Sequence, residues 1–515
     1  MPVVAVELMP DTGTVEIGQS QQLTATPTDG SGNALERSVT WSSSDPTVVT
    51  VDADGLVTGV SKGIGTVTAM SEGVTGTATI WVIEVGSFNC WGQSQISEGE
   101  CWTLVALYDS TNGPGWREAP GWLEGTNPCG WFGVTCEAGT VVGLDLNRSR
   151  LTGSIPAELG SLTNLQDLNL VLNDLTGPVP PWLGNLTNLQ SLDLAGNDLT
   201  GPIPPELGNL ASLEVLRLGS NQLTSSIPPE LANLANLQTL YLYGNNLTGS
   251  IPPELGNLAN LRSLDLKNNR LSGSLPRELG NLTNLEGMNL YHNQLSGTIP
   301  SELGNLANLR LMYFPVNQFN GTIPPEFGKL TNLESLNLAS NQLTGTIPAE
   351  LGNLARLKFL GLDSNDLTGS IPPELGNLAS LEALGVGGNQ LTGSIPPELG
   401  NLDLLALWLF GNKLIGSIPE ELGDLANLGE LWLFDNQLSG PVPLSVAQKG
   451  GVIQSISPTY GCRFVPPGNE GLYMPDTPEY RDADLDGDGL ICGLGFTAGL
   501  TPTALTPDGW EPGKV

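Results

Sequence analysis

The chain has little positive charge and almost no histidine. Of its 515 residues, 19 are Lys or Arg and 53 are Asp or Glu, which gives a formal net charge of -34 at pH 7. With no basic patch, nucleic acids and anionic membrane surfaces are poor partners, and this charge opposes self-association, so we expect a monomer. The single histidine leaves almost no material for a Ser-His or Cys-His centre, so we expect no enzyme.

Long apolar runs are also missing, since none approaches the roughly 20 residues of a membrane-spanning helix. Met1 and Pro2 lead directly into strand-like sequence rather than a signal peptide, so we expect a mature or excised chain. Cysteine is scarce, and its six copies fall in three local groups: Cys90 with Cys101, Cys129 with Cys136, and Cys462 with Cys492. Pairing within each group is the simplest of the fifteen arrangements that six cysteines allow. The cysteines favour an oxidising, extracellular compartment over free thiols in the cytosol.

What the chain has in abundance is regular repetition. Between Val141 and Ala447 one 24-residue repeat occurs thirteen times, and residues 189–210 show its pattern clearly. An asparagine recurs in this repeat every 24 residues, except between Asn389 and Asn412, where one residue is missing. A fixed period of this size predicts a solenoid, in which each unit buries its apolar side against its neighbours.

The pattern L-x-x-L-x-L-x-x-N-x-L is that of the leucine-rich repeat, and the continuation x-G-x-I-P-x-x-L-G-x-L resembles the plant-type class. The resemblance implies a right-handed solenoid over 141–449, with a parallel β-sheet on its concave face and short helical turns opposite. We expect the recurrent asparagines to form a ladder whose amides bond the backbone of the neighbouring coil, because an unpaired buried backbone group costs about 1–3 kcal/mol.

Residues 1–86 read as an all-β immunoglobulin-like sandwich, because alternating apolar runs such as Val6-Glu-Leu8 are separated by turn residues. The string at 39–60, TWSSSDPTVVTVDADGLVTGV after Val39, resembles the bacterial immunoglobulin-like group 2 domain. That resemblance implies a spacer of the kind found in bacterial surface adhesins. We interpret Trp41 as a core residue.

Residues 87–140 are predicted to form a cap. Cys101–Tyr108 has helical apolar spacing, and the run from Pro128 to Cys136, which includes Trp131, resembles the N-terminal cap of plant-type repeats. A helix, aromatic rings and a disulfide would cover the leucines that the first coil leaves exposed.

Residues 450–496 change character and 497–515 read as a linker or disordered tail. Carboxylates at alternate positions followed by Gly489 suit Ca²⁺, and the segment resembles the excalibur domain, a disulfide-stapled extracellular module. Gly493 stands where that domain has a glutamate, for which Asp482 is a candidate replacement. The alternative is an acidic turn that only caps the solenoid. The predicted ligands are Asp482, Asp484, Asp486 and Asp488.

Aromatic residues between the buried leucines are predicted to face outward on the concave face, where large rings with little conformational entropy favour binding. The alternative is that rings of adjacent coils stack on each other or lie beneath the C-terminal module. The candidate ligand-binding residues are Tyr241, Tyr243, Tyr291, His292, Tyr313, Phe359, Trp408, Phe410, Trp432 and Phe434.

Acidic residues share the predicted concave face: Asp145, Asp167, Asp193, Asp265, Asp363, Glu430 and Asp435. A glycosidase pair needs one carboxyl in a desolvated pocket, and an open sheet would leave these exposed. We therefore expect a secreted or surface-displayed protein that binds a protein, peptide or glycan. The competing hypotheses are an architectural stalk, favoured by the near-identical repeats, and, more remotely, ice binding through the hydroxyl ladder of segments such as Thr248-Gly249-Ser250.

Overall fold

The structure, a computed structural model, describes residues 2–83, 88, 90, 95–117, 119–125 and 127–447, together with the backbone of three short strands beyond them. The chain divides into two units, Met1–Thr176 and Gly177–Val515. The predicted acidic module and the tail lie outside the described residues, apart from the backbone of Val452–Gln454, Gly461–Phe464 and Leu490–Gly493.

The first domain consists of small sheets around one apolar core. In strand Ala5–Met9 the side chains of Val6 and Leu8 are buried and their neighbours exposed, as the alternation predicts. Trp41 is partly buried against this core, and its ring lies over Gly55, where no Cβ intervenes. One sheet pairs Ala5–Met9 with Thr24–Thr28. A second contains, in spatial order, Thr12–Glu16, Val74–Ile83, Gly63–Ser71 and Thr40–Ser43. A third contains Ser20–Gln22, Leu56–Gly59 and Val49–Val51 in that order.

A helix, Glu98–Ser110, begins the predicted cap. Ser97 caps it: its hydroxyl accepts from the backbone N–H of Glu100 at 3.2 Å, and the Glu100 carboxylate accepts from the Ser97 N–H at 3.1 Å. The same carboxylate accepts from the Val141 N–H at 3.1 Å, which ties the helix to the strand Thr140–Asp145. The helix therefore covers the start of the repeats.

Aromatic rings and two disulfides complete the cap. Trp116, Trp122 and Trp131 are buried, and the Trp122 ring lies 4.8 Å from that of Trp116 and 4.9 Å from that of Trp131. The predicted bonds Cys90–Cys101 and Cys129–Cys136 are both present. In the first unit the strands Val134–Glu137, Thr140–Asp145 and Asp167–Asn169 then form consecutive neighbours, with a 3-10 turn at Ala157–Ser161.

In the second unit the repeat becomes a stack of coils, each of which we name by its ladder asparagine. Each coil contributes a short strand to one parallel sheet, and a 3-10 turn such as Pro205–Asn209 lies on the opposite side. The strands of this sheet are Ser191–Asp193, Val215–Arg217, Thr239–Tyr241, Ser263–Asp265, Gly287–Asn289, Leu311–Tyr313, Ser335–Asn337, Phe359–Gly361, Ala383–Gly385, Ala406–Trp408 and Glu430–Trp432, continued by the backbone of Val452–Gln454.

The 3-10 turns recur with little change. A Cβ on Gly208 would collide with the Glu230 carbonyl of the next coil, which explains the Leu-Gly of most turns; the turn Pro229–Asn233 has Ala232 at this position. The 3-10 turns of the second unit are Pro181–Asn185, Pro205–Asn209, Pro229–Asn233, Pro253–Asn257, Arg277–Asn281, Ser301–Asn305, Pro325–Lys329, Ala349–Asn353, Pro373–Asn377, Pro397–Asn401 and Glu420–Asp424, and the helix Leu444–Ala447 follows them.

The predicted asparagine ladder is confirmed. Asn221 is 7% exposed; its Oδ1 accepts from the Leu199 N–H at 3.0 Å, and its Nδ2 donates to the Leu194 carbonyl at 3.0 Å, both in the preceding coil. Nδ2 also donates to the carbonyl of Leu218 in its own coil at 3.2 Å. One side chain thus satisfies three backbone groups that the turn would otherwise leave unpaired.

The missing residue between Asn389 and Asn412 is absorbed in a single turn. It falls after Pro397–Asn401, where Leu402 is extended (φ -89, ψ 172) instead of taking the bent conformation of its counterparts, such as Leu378 (φ -77, ψ 68). The strand that follows keeps its register, with Gly385 beside Trp408. The deletion therefore leaves the parallel sheet undisturbed.

Candidate ligand-binding face

The outward side of the parallel sheet in the second unit, which we call the strand face, carries three columns of side chains. Each strand supplies two of them through its first and third residues, and the position two residues further on supplies the third. In the Asn245 coil these positions are Thr239, Tyr241 and Tyr243. Because the strands pair in register, Tyr241 lies between Arg217 and Asp265 of the adjacent coils. This surface is the one predicted as the concave face.

Tyr241 is not a free ring. Its side chain is 7% exposed, its hydroxyl lies 3.0 Å from the Ser263 hydroxyl, and the Arg217 guanidinium carbon lies 5.5 Å from the ring centroid. Arg217 Nη1 also approaches the Asp193 carboxylate at 3.4 Å. Burial raises the pKa of the Tyr241 phenol. The expectation that this ring stands open to a ligand is therefore wrong.

Tyr243, two residues on, follows the same arrangement with a different cation. The Lys267 ammonium lies 5.1 Å from its ring centroid and 3.3 Å from Asp265 Oδ2. The ring covers Gly219, where a Cβ would lie 2.6 Å from it. Burial raises the pKa of the Asp265 carboxyl, and Lys267 opposes that rise. We call the residues of these two paragraphs the filled set, since each ring and carboxylate has a cation from this chain: Asp193, Arg217, Tyr241, Tyr243, Asp265 and Lys267.

A second aromatic group is partly open. Tyr291 is half-buried, and its ring centroid lies 6.0 Å from Tyr313 and 5.7 Å from His292. Burial raises the pKa of the Tyr313 phenol, which bonds the Asn337 side chain. His292 is exposed at the rim, where its Nδ1 lies 3.2 Å from Asn268 Oδ1. The predicted tyrosine cluster is thus divided by the coil that carries Asp265 and Lys267.

The last two coils carry four half-buried rings in mutual contact. Trp408 and Trp432 lie 5.9 Å apart, Phe410 and Phe434 stack at 5.0 Å, and Phe410 lies 5.8 Å from Trp432. The Trp408 indole N–H donates to the Glu430 carboxylate at 2.8 Å. Stacking between coils, the alternative to free rings, is therefore present, while each ring keeps an accessible part.

Between these rings and Phe359 several strand-face positions are glycine, and we call these positions the glycine floor. Gly361 and Gly385 occupy the column that holds Tyr241 elsewhere, and Gly387 occupies the column of Tyr243. The Phe359 ring leans over Gly361, and the Phe410 ring leans over Gly387. All three glycines are buried, so neighbouring side chains lie over the backbone here.

Asp363 lies on this glycine floor. Its carboxylate covers Gly385, and its Oδ1 accepts from the Gly387 N–H at 2.8 Å. Burial raises the pKa of this carboxyl to about 7, against the lowering effect of the Gly387 bond. Within the described part of the chain no Lys or Arg pairs with it. We call these residues the open set: Phe359, Gly361, Asp363, Gly385, Gly387, Trp408 and Phe410.

The expectation that an open sheet leaves the acidic residues in water holds for Asp145, Asp167 and Asp435, which are exposed, and is wrong for Asp193 and Asp265. Asp193 and Asp265 are 8% and 7% exposed, because neighbouring rings and the Arg217 and Lys267 side chains cover them. The two strand-face carboxyls with raised pKa, Asp265 and Asp363, belong to coils four repeats apart. At about 4.8 Å per strand they are roughly 19 Å apart, beyond the roughly 5–10 Å of a glycosidase pair.

Sequence reasoning missed the basic residues and the glycine gap. Arg217 and Lys267 stand in the same columns as the tyrosines, and that shared column position was the available signal. Gly361, Gly385 and Gly387 break the columns in the same way. A column-by-column alignment of the coils identifies both features.

Other predicted features lie elsewhere. Asp482, Asp484, Asp486 and Asp488 are outside the described residues, and within those residues no group of three or more His, Cys, Asp or Glu is arranged to hold a metal. Cys462 and Cys492 are cross-strand partners in backbone register, and their side chains are likewise outside the description. No helix of the described part of the chain combines the length and apolarity needed to cross a membrane.

The hydroxyl ladder lies on a lateral surface, separate from the strand face. Its short strands form several small sheets in the second unit, such as Ser272–Ser274, Gln294–Thr298, Gln318–Thr322, Gln342–Gly345 and Asp366–Leu367 in one of them. One interruption follows Gln222–Thr224, where Ser225 takes the left-handed conformation (φ 68) that glycine supplies in other coils.

Family profiles agree with this architecture. Residues 2–82 match the bacterial Ig-like domain (group 2). Residues 245–354 match the leucine-rich repeat region, 211–257 match a pair of leucine-rich repeats, and 164–186, 188–210, 356–378 and 380–402 match single repeats.

Several of the proteins that this chain resembles are plant receptors. The protein STRUBBELIG-RECEPTOR FAMILY 2 of Arabidopsis thaliana is 38% identical over 81 residues, 15% of this chain and 10% of that protein. The PEPR1-AtPEP1 crystal structure aligns with a TM-score of 0.62 and 35% identity over 70% of this chain and 55% of that one. The Arabidopsis receptor kinase HAESA, in complex with the peptide hormone IDA and the co-receptor SERK1, aligns with a TM-score of 0.55 and 31% identity over 70% and 69%.

The chain thus spans about a tenth of that curated relative and about half of the first receptor structure. Its repeats resemble the ectodomains of plant peptide-hormone receptors.

Proposed function

Since this chain belongs to the leucine-rich-repeat proteins and carries a bacterial Ig-like domain before its repeats, we propose that it binds an extracellular protein or peptide on its strand face. The observation that carries this proposal is the accessible part of the rings in the Asn293, Asn317, Asn412 and Asn436 coils. Such rings on a rigid sheet give contact area at little cost in conformational entropy.

The likeness to HAESA supports a peptide or protein over a glycan, because that receptor was crystallised with a peptide hormone. The disulfides of the cap support an extracellular or bacterial cell-surface location, since such bonds persist in oxidising compartments. Binding is non-covalent, and the Ig-like domain serves as a spacer. The net charge of -34 favours a monomer that attracts basic partners.

Arrays of peptides and glycans, probed with the whole protein, test this proposal. We expect peptide binders whose signal falls at least tenfold when Tyr291 and Tyr313, or Trp408 and Trp432, are changed to Ala. The control replaces Gln294 and Gln342, exposed residues of the lateral surface, and should leave binding unchanged. An architectural stalk predicts that no binder distinguishes the strand-face variants from the control.

We also propose that the segment with Asp482, Asp484, Asp486 and Asp488 binds Ca²⁺. Support comes from the sequence: carboxylates at alternate positions followed by Gly489 supply the residue types that a Ca²⁺ loop needs, hard oxygen ligands and a residue that permits a sharp bend. Calorimetric titration should give heat at sub-millimolar to millimolar Ca²⁺ that disappears in Asp486→Asn. Absence of heat at millimolar Ca²⁺ contradicts the proposal.

A further inference from the structure

The strand face contains two sets of rings and desolvated carboxylates that differ in one component. In the filled set, Arg217 and Lys267 lie over tyrosine rings at 5.5 and 5.1 Å and pair with carboxylates at 3.4 and 3.3 Å. In the open set, the corresponding column positions are Gly385 and Gly387. The open set therefore has the acid and the rings of the filled set without its cation.

The environment of Asp363 favours a positive charge. A desolvated carboxylate gains more from an opposite charge than one in water, because the local dielectric constant is lower. Trp408 lies in register beside Gly385, which the Asp363 carboxylate covers, and the Phe410 ring covers Gly387. Aromatic faces attract guanidinium and ammonium groups. The Gly387 N–H satisfies one oxygen, and the other lies over Gly385, where no side chain intervenes.

We propose that the open set is a subsite for a basic side chain, an arginine or lysine, of the peptide or protein ligand. The inference rests on the proposed function and adds the chemical class that one part of the strand face selects. The ligand's guanidinium or ammonium group takes the place that Arg217 and Lys267 occupy in the filled set. Asp363 is only partly buried, so the basic group of the ligand can reach its carboxylate.

A blocked tripeptide, acetyl-Gly-Arg-Gly-amide, tests the subsite directly by ligand-observed NMR with the whole protein. Its counterpart with citrulline in place of arginine has nearly the same shape and no charge. We expect the arginine peptide to bind at least tenfold more tightly than the citrulline peptide. Asp363→Asn keeps an acceptor for the Gly387 N–H and should weaken the arginine peptide at least tenfold.

Asp366→Asn is the matched control, because it removes the same charge from the same coil. Asp366 is exposed and accepts a hydrogen bond from the Gln390 side chain. It should change binding less than twofold. Gly385→Lys is the second variant: it returns an ammonium to the column of Arg217 and should abolish binding of the tripeptide. Thermal unfolding checks that each variant is folded.

Equal binding of the citrulline peptide, unchanged binding to Asp363→Asn, or equal losses in Asp363→Asn and Asp366→Asn would each overturn the proposal. The last result would mean general attraction to an acidic protein. Array binders that are lost in the Trp408 and Trp432 variant but kept by Asp363→Asn would leave the proposed function standing and remove the subsite. If no array binder depends on the strand face, the proposed function fails, and the tripeptide titration still decides on the subsite.

Discussion

The filled and open sets are built on the same sheet and differ in whether the chain supplies a cation. Around Tyr241 and Tyr243 the chain supplies its own cations, so the rings and carboxylates there form a closed network. Around Asp363 the same positions are glycine, and the carboxyl has a pKa of about 7. The difference teaches that an aromatic residue on a repeat surface indicates a binding site only after its neighbours in the column have been examined.

The largest expected effect comes from removing the charge of the open set. The Asp363 carboxyl has a folded-state pKa of about 7 against 3.8 for the ordinary group, so its ionisation costs the folded state stability as the pH rises from about 4 to about 7. Asp363→Asn should therefore raise the free energy of unfolding by about 1–4 kcal/mol at pH 8.5 and hardly at pH 4.

Urea unfolding at the two pH values measures this effect, with Asp366→Asn as the control that should show no such pH dependence. A stabilisation of the same size at both pH values would mean that the Asp363 carboxyl titrates normally.

A smaller effect of opposite sign is expected in the filled set. Arg217→Met leaves the Asp193 carboxylate, which is 8% exposed, without its cation. This substitution should lower the free energy of unfolding by about 1–2 kcal/mol. The loss is smaller than for a fully buried pair, because solvent screens part of the interaction. Arg262→Met is the control, since its pair with Glu286 is exposed, and it should cost under about 0.5 kcal/mol.

The measurement is the urea-unfolding midpoint at low and high salt. Equal losses for Arg217→Met and Arg262→Met would show that the filled set has no special electrostatic coupling, and the comparison with the open set would then lose its basis.

The smallest change in stability is expected for Lys267→Met. The side chain is half-exposed, so its loss should cost under about 1 kcal/mol. It also leaves the Tyr243 ring and the Asp265 carboxylate without a cation, which turns this part of the filled set into an open one. We expect the arginine tripeptide to gain a second site, seen as a stoichiometry that rises from one to two. A stoichiometry of one would mean that a ring and a carboxylate without a glycine floor do not suffice.

The fold was predictable because its determinants are local and repeated. The Asn221 ladder bonds and the buried leucines follow from residue identity at a fixed spacing, and the cap helix follows from the apolar spacing of Cys101–Tyr108. The sequence predicts which positions of each repeat face outward, but it does not predict how the side chains at those positions contact one another. Whether a ring such as that of Tyr241 is covered depends on side chains 24 residues away in sequence, including the basic Arg217, and their conformations are set by packing between coils.

The 23-residue step before Asn412 has a consequence for how such a surface changes over time. Because the shortened turn after Asn401 leaves Gly385 beside Trp408, coil length and ligand-facing chemistry vary independently. A one-residue difference on the turn side is therefore compatible with an unchanged strand register on the opposite side. On the proposed function, substitutions in the columns would change which ligand is recognised without any change to the scaffold.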